Sequence, residues 1–389
     1  MARRLTLILF VAAIAAAACA PQASAAGYVA HRDVSYDRGS PPPNSALNQL
    51  DLYEPIGFKG KRPVAVYAHG GAWSVGDKGN KIDDKARLFT NAGYVFVSIN
   101  YRLSPRPPQT SNPSRVMFPD HPHDVGEAIG WLSEEVASYG GDSDRLLLLG
   151  HSAGAHLVSL VATDPSYLQA YGAKRKQISG VVSLDTAAFD IASRADPAVS
   201  TIGAEEREGI YWNAFGTPAE NAATGSWATA SPLLHADPKA PPFLLVTQNR
   251  AIRREENREM AEALGQDPDG VVAVDATHEQ INEFLGGASD SVGETDAVMS
   301  FANAAVNPPR ARIEGHPKRR LHTRRARFMF KATVAGSSFE CRIDGRGWRQ
   351  CSSPKGYRVR RGRHTFRVRA ANEVAVGPAA KHRFRVVGA

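Results

Sequence analysis

Arg145-Leu146-Leu147-Leu148-Leu149-Gly150-His151-Ser152-Ala153-Gly154 reads as a buried strand that runs into a tight turn. An unbroken apolar run lacks the alternation of a half-exposed strand, so both of its faces are expected to be covered, as in a parallel sheet. The residues that follow, Ala153 to Val161, read as a helix. Gly150-x-Ser152-x-Gly154 therefore stands at a strand–turn–helix junction, where a serine can be presented as a nucleophile above the sheet. The glycines are needed because that turn is cramped. The helix N-terminus behind the serine adds positive potential for a developing oxyanion.

Working outward, short apolar runs bounded by Gly and Pro recur at Pro63–Ala68, Tyr94–Ile99, Gly180–Leu184, Pro242–Val246 and Val271–Val274. Leu50 to Tyr53 resembles a further short strand, after a Pro-rich lead-in. Amphipathic stretches lie between the runs. Asp124 to Ser138 places Val125, Ala128, Ile129, Leu132 and Val136 at helical spacing, and Glu255 to Leu264 is another helix former. Strand–helix alternation predicts an α/β fold with a doubly wound, mostly parallel sheet.

Two more segments carry chemistry. His69-Gly70-Gly71-Ala72-Trp73 ends an apolar strand 83 positions before Ser152. Glycine lets main-chain N–H groups approach a carbonyl, so Gly70 and Gly71, with Ala153, are the candidate oxyanion donors. His69 is expected to support that loop. His278 follows the last strand, in Asp275-Ala276-Thr277-His278-Glu279, and a general base must come from a loop at the carboxyl end of the sheet. Asp120-His121-Pro122-His123-Asp124 has metal-ligand residue types but no remote cluster, and reads as a lead into a helix; no metal or other cofactor is expected. Gly140-Gly141-Asp142 is a turn, since no Gly-Lys-Ser/Thr follows it.

Leu50-Asp51-Leu52-Tyr53, His69 to Trp73, Gly76-Asp77-Lys78, Asn100-Tyr101-Arg102-Leu103 and Gly150 to Gly154 together resemble the esterase branch that contains feruloyl and acetyl-xylan esterases and the hormone-sensitive-lipase relatives. The resemblance spans roughly residues 45 to 300. It implies an α/β-hydrolase that works through an acyl-enzyme, with Ser152, His278 and the oxyanion residues carried over by position. The acid does not carry over. The family usually places it after the strand written here Pro242–Val246, but this chain has Thr247-Gln248-Asn249-Arg250-Ala251. Asp185, at the end of the preceding strand, is the preferred candidate and keeps the order Ser–Asp–His; Glu255 and Glu256 are the alternatives. A short acyl or aryl ester, free or linked to a polysaccharide, is the implied substrate. An arylformamidase-like amidase shares these motifs. A non-catalytic binding protein on the same scaffold is the reading from a different class, motivated by Asn249.

The ends of the chain add context. Arg3-Arg4, the apolar run Leu5–Ala18 and Ala23-Ser24-Ala25 form a signal-peptide pattern over residues 1–25, so a secreted or envelope-associated protein is expected. Cys19 is a lipidation candidate. Otherwise it leaves with the signal, and Cys341 and Cys351 remain as an even pair in an oxidising compartment, which favours a disulfide. No later stretch is long and apolar enough to span a bilayer.

The net charge of +8 conceals a division. From Arg310 onward there are 22 Lys and Arg against 4 Asp and Glu; the remainder has 25 against 35. Residues 26–306 are expected to form the α/β domain, 307–326 a basic linker and 327–389 a small all-β sandwich. Strands are expected at Arg327–Val334, Ser338–Ile343, His364–Ala370 and His382–Val387. Phe339 to Gly345, Cys351 to Pro354 and Gly362 to Ala370 resemble small Ig-like repeats of secreted bacterial proteins. That resemblance implies a Cys pair joining two adjacent strands, and the Gly-rich turn between Cys341 and Cys351 allows a hairpin. The arginine-rich surface suggests an anionic cell-surface polymer as partner; export argues against nucleic acid.

Overall fold

The computed structural model describes residues 27–38 and 47–387. The expected signal peptide and Cys19 lie outside the described residues. Among those described, no helix is long and apolar enough to cross a membrane.

Eight strands form the main sheet: β1 (Tyr28–Ser35), β2 (Gln49–Pro55), β3 (Arg62–Ala68), β4 (Val95–Ile99), β5 (Gly141–His151), β6 (Ile178–Leu184), β7 (Phe243–Gln248) and β8 (Val272–Val274). Their order is β1-β2-β4-β3-β5-β6-β7-β8. The β1–β2 and β2–β4 pairs are antiparallel and the others parallel. Part of the expected lead-in is thus the edge strand β1, which its mostly exposed, polar residues did not announce.

The apolar runs explain the layering. Val64, Val66, Leu146 and Leu148 enter one core, while Ala65, Tyr67, Leu147 and Leu149 enter the core on the opposite face. Continuous hydrophobicity is what a strand needs when helices cover both sides. The main helices are α1 (Asp83–Asn91), α2 (Asp120–Glu135), α3 (Ala153–Thr163), α4 (Ala251–Ala263), α5 (His278–Phe284) and α6 (Glu294–Val306). α2 begins at Asp120, so the His-rich segment is the first turn of the helix itself. There His121 meets the Ser104 hydroxyl at 3.1 Å and Asp124 forms a buried ion pair with Arg102 at 2.7 Å.

A second unit follows. One sheet has the order β10-β16-β15-β12-β13 and the other β14-β11-β9. The strands are β9 (Ala311–Gly315), β10 (Arg320–Leu321), β11 (Arg325–Ala332), β12 (Ser338–Ile343), β13 (Arg349–Gln350), β14 (Lys355–Arg358), β15 (Gly362–Ala371) and β16 (Ala380–Val386). Phe328 and Phe330 from one sheet pack with Phe366, Val368 and Phe384 from the other. The span expected to be a basic linker is therefore partly sheet. Ala311 and Ile313 turn inward between exposed neighbours, an alternation too short to stand out among the charges. Cys341 and Cys351 form a disulfide across the β12–β13 hairpin, with Cα atoms 5.8 Å apart.

Candidate active site

Strand register brings the candidate residues together. Ala68 lies beside Gly150, His151 beside Leu184, and Leu184 beside Val246. The turns after β3, β5, β6, β7 and β8 consequently meet at the carboxyl edge of the sheet, where open α/β folds place their ligands.

Ser152 sits in the turn at φ +55° and ψ −117°, a conformation side chains rarely adopt and one that costs roughly 1–3 kcal/mol. Its N–H is tied to the Leu184 carbonyl at 2.9 Å. A Cβ on Gly154 would come within 2.1 Å of the Ala68 carbonyl oxygen, and one on Gly150 within 2.4 Å of the Gly154 backbone. Only hydrogen at both positions lets α3 press against β3 and β5.

The His69–Trp73 turn lies directly opposite. His69 Nδ1–H donates to the Gly70 carbonyl at 2.7 Å, and its ring stacks on Tyr101, whose hydroxyl donates to the His69 carbonyl at 2.9 Å. The C=O and N–H of a trans peptide point in opposite directions, so pinning the Gly70 oxygen turns the Gly71 N–H away from His69. Gly71 has φ +121°, and a Cβ there would lie 2.0 Å from the Val75 carbonyl oxygen. Among the described residues no main-chain carbonyl accepts from the N–H groups of Gly70, Gly71 or Ala153. Asp77, Lys78 and Asn100 near this turn are its scaffold. Asn100 accepts from the Lys78 N–H and donates to Asp77, and Lys78 pairs with Asp51 at 2.9 Å.

Asp185 directly follows β6 and is fully buried. Its Oδ2 lies 2.6 Å from His278 Nδ1. Its Oδ1 accepts from the Thr247 hydroxyl at 2.8 Å, the Gln248 N–H at 3.1 Å and Arg253 at 3.0 Å. Burial pushes this carboxyl up, but the His278 hydrogen bond, the Arg253 charge and the Gln248 and Thr247 donors outweigh it. They hold Asp185 well below the usual carboxylate range. Glu255 is exposed, and Glu256 is engaged with Arg194 and Arg253. Asn249 donates to Asp275 at 2.8 Å, on the exposed side of the same turn.

His278 opens α5, whose start is fixed by a capping box between Thr277 and Gln280. The His151 ring lies 4.5 Å from the His278 ring, and His151 Nε2–H donates to the His278 carbonyl at 2.9 Å. Burial, with His278 alongside, lowers His151 to about 3, so it stays neutral and adds no charge beside His278.

Ser152 and His278 line two adjoining cavities. One, of 540 Å³, is walled by Tyr67, Gly70, Gly71, Asn80, Glu279 and Asn282. The other, of 370 Å³, is walled by Trp73, Ala187, Ile210, Tyr211 and Ile252, with Arg194 and Glu206 at its side. A serine flanked by a carboxylate-linked imidazole and unpaired main-chain N–H groups can carry out acyl transfer. Sequence reasoning did not find Arg253, Thr247 or Gln248. The last two were legible only as the residues after a strand, and Arg253 gave no signal within its charged helix. Among the described residues no group of three His, Cys, Asp or Glu side chains is arranged to hold a metal.

Known proteins resemble this chain. A 141-residue stretch is 33% identical to LipM, a probable carboxylic ester hydrolase of Mycobacterium tuberculosis, covering 36% of this chain and 30% of that protein. Esterase LipQ of the same organism is 38% identical over 122 residues, 31% of this chain and 27% of LipQ. The chain thus spans less than a third of the length of these curated relatives. Among solved structures, a truncated carbohydrate esterase from gut microbiota superposes with a TM-score of 0.55 at 17% identity, covering 73% of this chain and 99% of that one. Esterase B of Lactobacillus rhamnosis gives 0.53 at 18%, over 72% and 86%. At such identities the likeness speaks for the fold. The BD-FAE family profile matches residues 50–264, more than half of the chain and nearly all the strands that build the site, so this chain belongs to the BD-FAE family of α/β-hydrolases.

Proposed function

We propose that this chain is an exported serine esterase that hydrolyses short acyl or aryl esters, including acyl groups carried on polysaccharides. The observation that carries the reading is the 2.6 Å contact between Asp185 and His278 beside a serine held at φ +55°. In the proposed cycle His278 takes the Ser152 proton as the oxygen attacks the ester carbonyl. The N–H groups of Gly70, Gly71 and Ala153 receive the oxyanion. His278 then passes the proton to the departing alcohol. A water, deprotonated by the same imidazole, attacks the acyl-enzyme, and the carboxylic acid leaves as Ser152 regains its proton. Asp185 fixes the histidine tautomer and balances the imidazolium. These steps use side chains, main-chain amides and water.

The carboxylate on His278 supports catalysis over the binding-protein reading, whose motive was Asn249. An anionic cell-surface polymer is the partner proposed for the basic C-terminal unit, whose Ig-like character is part of the same proposal. Hydrolysis of p-nitrophenyl acetate, butyrate and octanoate by the mature protein and by Ser152→Ala tests the reading. Activity abolished by the substitution is expected, with the shorter esters preferred. Equal background rates for both proteins on all three esters would overturn it and direct attention to amides.

A further inference from the structure

The outward face of the five-stranded C-terminal sheet is a lattice of cations. Along β15 and β16 the inward residues are apolar, Phe366, Val368, Phe384 and Val386, so the residues between them point away from the core. Strand register sets these outward residues in rows. Arg320, Arg385 and Arg363 lie side by side on three neighbouring strands, and Lys381, Arg367 and Arg342 form a second row. Arg383 stands between the rows, opposite Thr365. Arg369 alone on this face has a carboxylate partner, Glu340 at 2.6 Å; among the described residues none of the other seven forms an ion pair. Four buried arginines of the hydrolase unit are used differently. Arg102, Arg115, Arg194 and Arg253 are each matched to a carboxylate. Like charges directly opposite on neighbouring strands repel, so these rows lower the stability of the folded unit unless an anion covers them.

We infer that this face binds a linear polysaccharide bearing carboxylates, with the polymer lying flat across the rows. The inference deepens the anionic-polymer reading and rests on it. Cations recur about every 6.7 Å along a strand and about every 4.8 Å between strands, so a regularly charged chain meets several at once. Arginine, in place of lysine at all but one of these positions, suits planar two-oxygen anions such as carboxylates. Nucleic acid fits the face less well. Five strands make a surface too broad to enter a duplex groove. Single strands need open aromatic platforms for their bases. The outward positions of β12, β15 and β16 hold no aromatic residue, and the neighbouring Trp348 already has Arg342 and Arg369 within 4.5 and 4.4 Å of its ring centre.

The test uses the full-length mature protein carrying Ser152→Ala, so that binding is read apart from any hydrolysis. Its probes are polygalacturonate, neutral dextran and single-stranded DNA. Expected are binding to polygalacturonate, none to dextran, weaker binding to DNA at equal salt, and affinity that falls steeply as salt rises. The double substitution Arg367→Glu, Arg383→Glu is expected to weaken polygalacturonate binding at least tenfold with a melting temperature no lower than before, since it relieves the repulsion within the rows. Tighter binding to DNA would overturn the polysaccharide assignment. Unaltered binding by the double variant would overturn the assigned face while leaving the anionic-polymer reading intact. Failure to bind either polyanion would overturn both.

Discussion

Asp185 Oδ2 lies 2.6 Å from His278 Nδ1 although the two residues are 93 positions apart, and the carboxylate comes from the residue directly after β6. The strand after it, β7, supplies Thr247 and Gln248, which hold the same carboxylate from the other side. This carboxylate stands one strand inward of the place that the family resemblance implied for it, after β6 and not after β7.

This geometry predicts an asymmetric mutational result. Asp185→Asn preserves shape but loses the charge and the tautomer control, so kcat on p-nitrophenyl acetate is expected to fall by about 10³–10⁴ with KM little changed. Glu255→Gln, on an exposed side chain, is expected to stay within about twofold. Steady-state kinetics of the two variants decide the assignment. Near-normal turnover in Asp185→Asn would remove it.

Arg253 is the next test. It is almost buried and donates to both the carboxylate and the main-chain carbonyl of Asp185. Arg253→Met leaves Asp185 buried without its cation, and breaking one side of a buried pair costs about 3 kcal/mol. The lost positive charge had favoured deprotonated neighbours, so the acid limb of kcat/KM should move to higher pH. Denaturant unfolding and a pH–rate profile read the two effects separately. A less stable protein with an unmoved acid limb would make Arg253 a purely structural residue.

Two glycines of the site are expected to fail differently. A Cβ at Gly154 would meet the main-chain oxygen of Ala68 at 2.1 Å, and backbone cannot yield, so Gly154→Ala should abolish folding. A Cβ at Gly70 would stand 2.8 Å from His151 Nδ1 and 3.1 Å from the Ser152 Cβ, a local intrusion. Gly70→Ala is expected to remain folded and to lose about 10²–10³ in kcat. Melting curves and rates for both variants check this. A folded, active Gly70→Ala would show that the loop tolerates displacement.

The parts of this arrangement that were legible in the sequence share a cause. Parallel strands covered on both faces are uniformly apolar, so β3 to β7 announced themselves, and the cramped turn around Ser152 required glycine at fixed spacing. The acid was only narrowed to candidates, because a carboxylate beside a histidine leaves no local pattern. Its partners Thr247, Gln248 and Arg253 converge only through strand register and the seating of α4. β1 and β9 were missed for the opposite reason. Edge strands expose one side, and their charges hide the alternation.

The support beneath His278 yields a prediction about pH. Lys85 Nζ donates to the Asn282 carbonyl at 2.6 Å, and Tyr67 donates to the Asn282 side chain at 2.6 Å, which ties α5 to α1 and to β3. Glu294 is fully buried nearby at the start of α6. Burial, reinforced by Asp290 and opposed by Lys85, raises its carboxyl to about 8. A carboxyl with a raised folded pKa holds its proton more tightly folded than unfolded. Its contribution to stability is therefore complete below an unfolded value of about 4.3 and is lost as pH rises through about 8. The buried histidines His121, His151 and His156 pull the other way in the acid range, because burial lowers their pKa values. The difference between wild type and Glu294→Gln isolates the carboxyl, since the amide cannot ionise. Unfolding free energies compared from pH 5 to 9 are expected to show wild type losing ground steadily to the variant up to about pH 8, with no further loss above it. A pH-independent difference would mean that Glu294 carries the same charge in the folded and unfolded chain, and the ionisation of this support would then have no part in its stability.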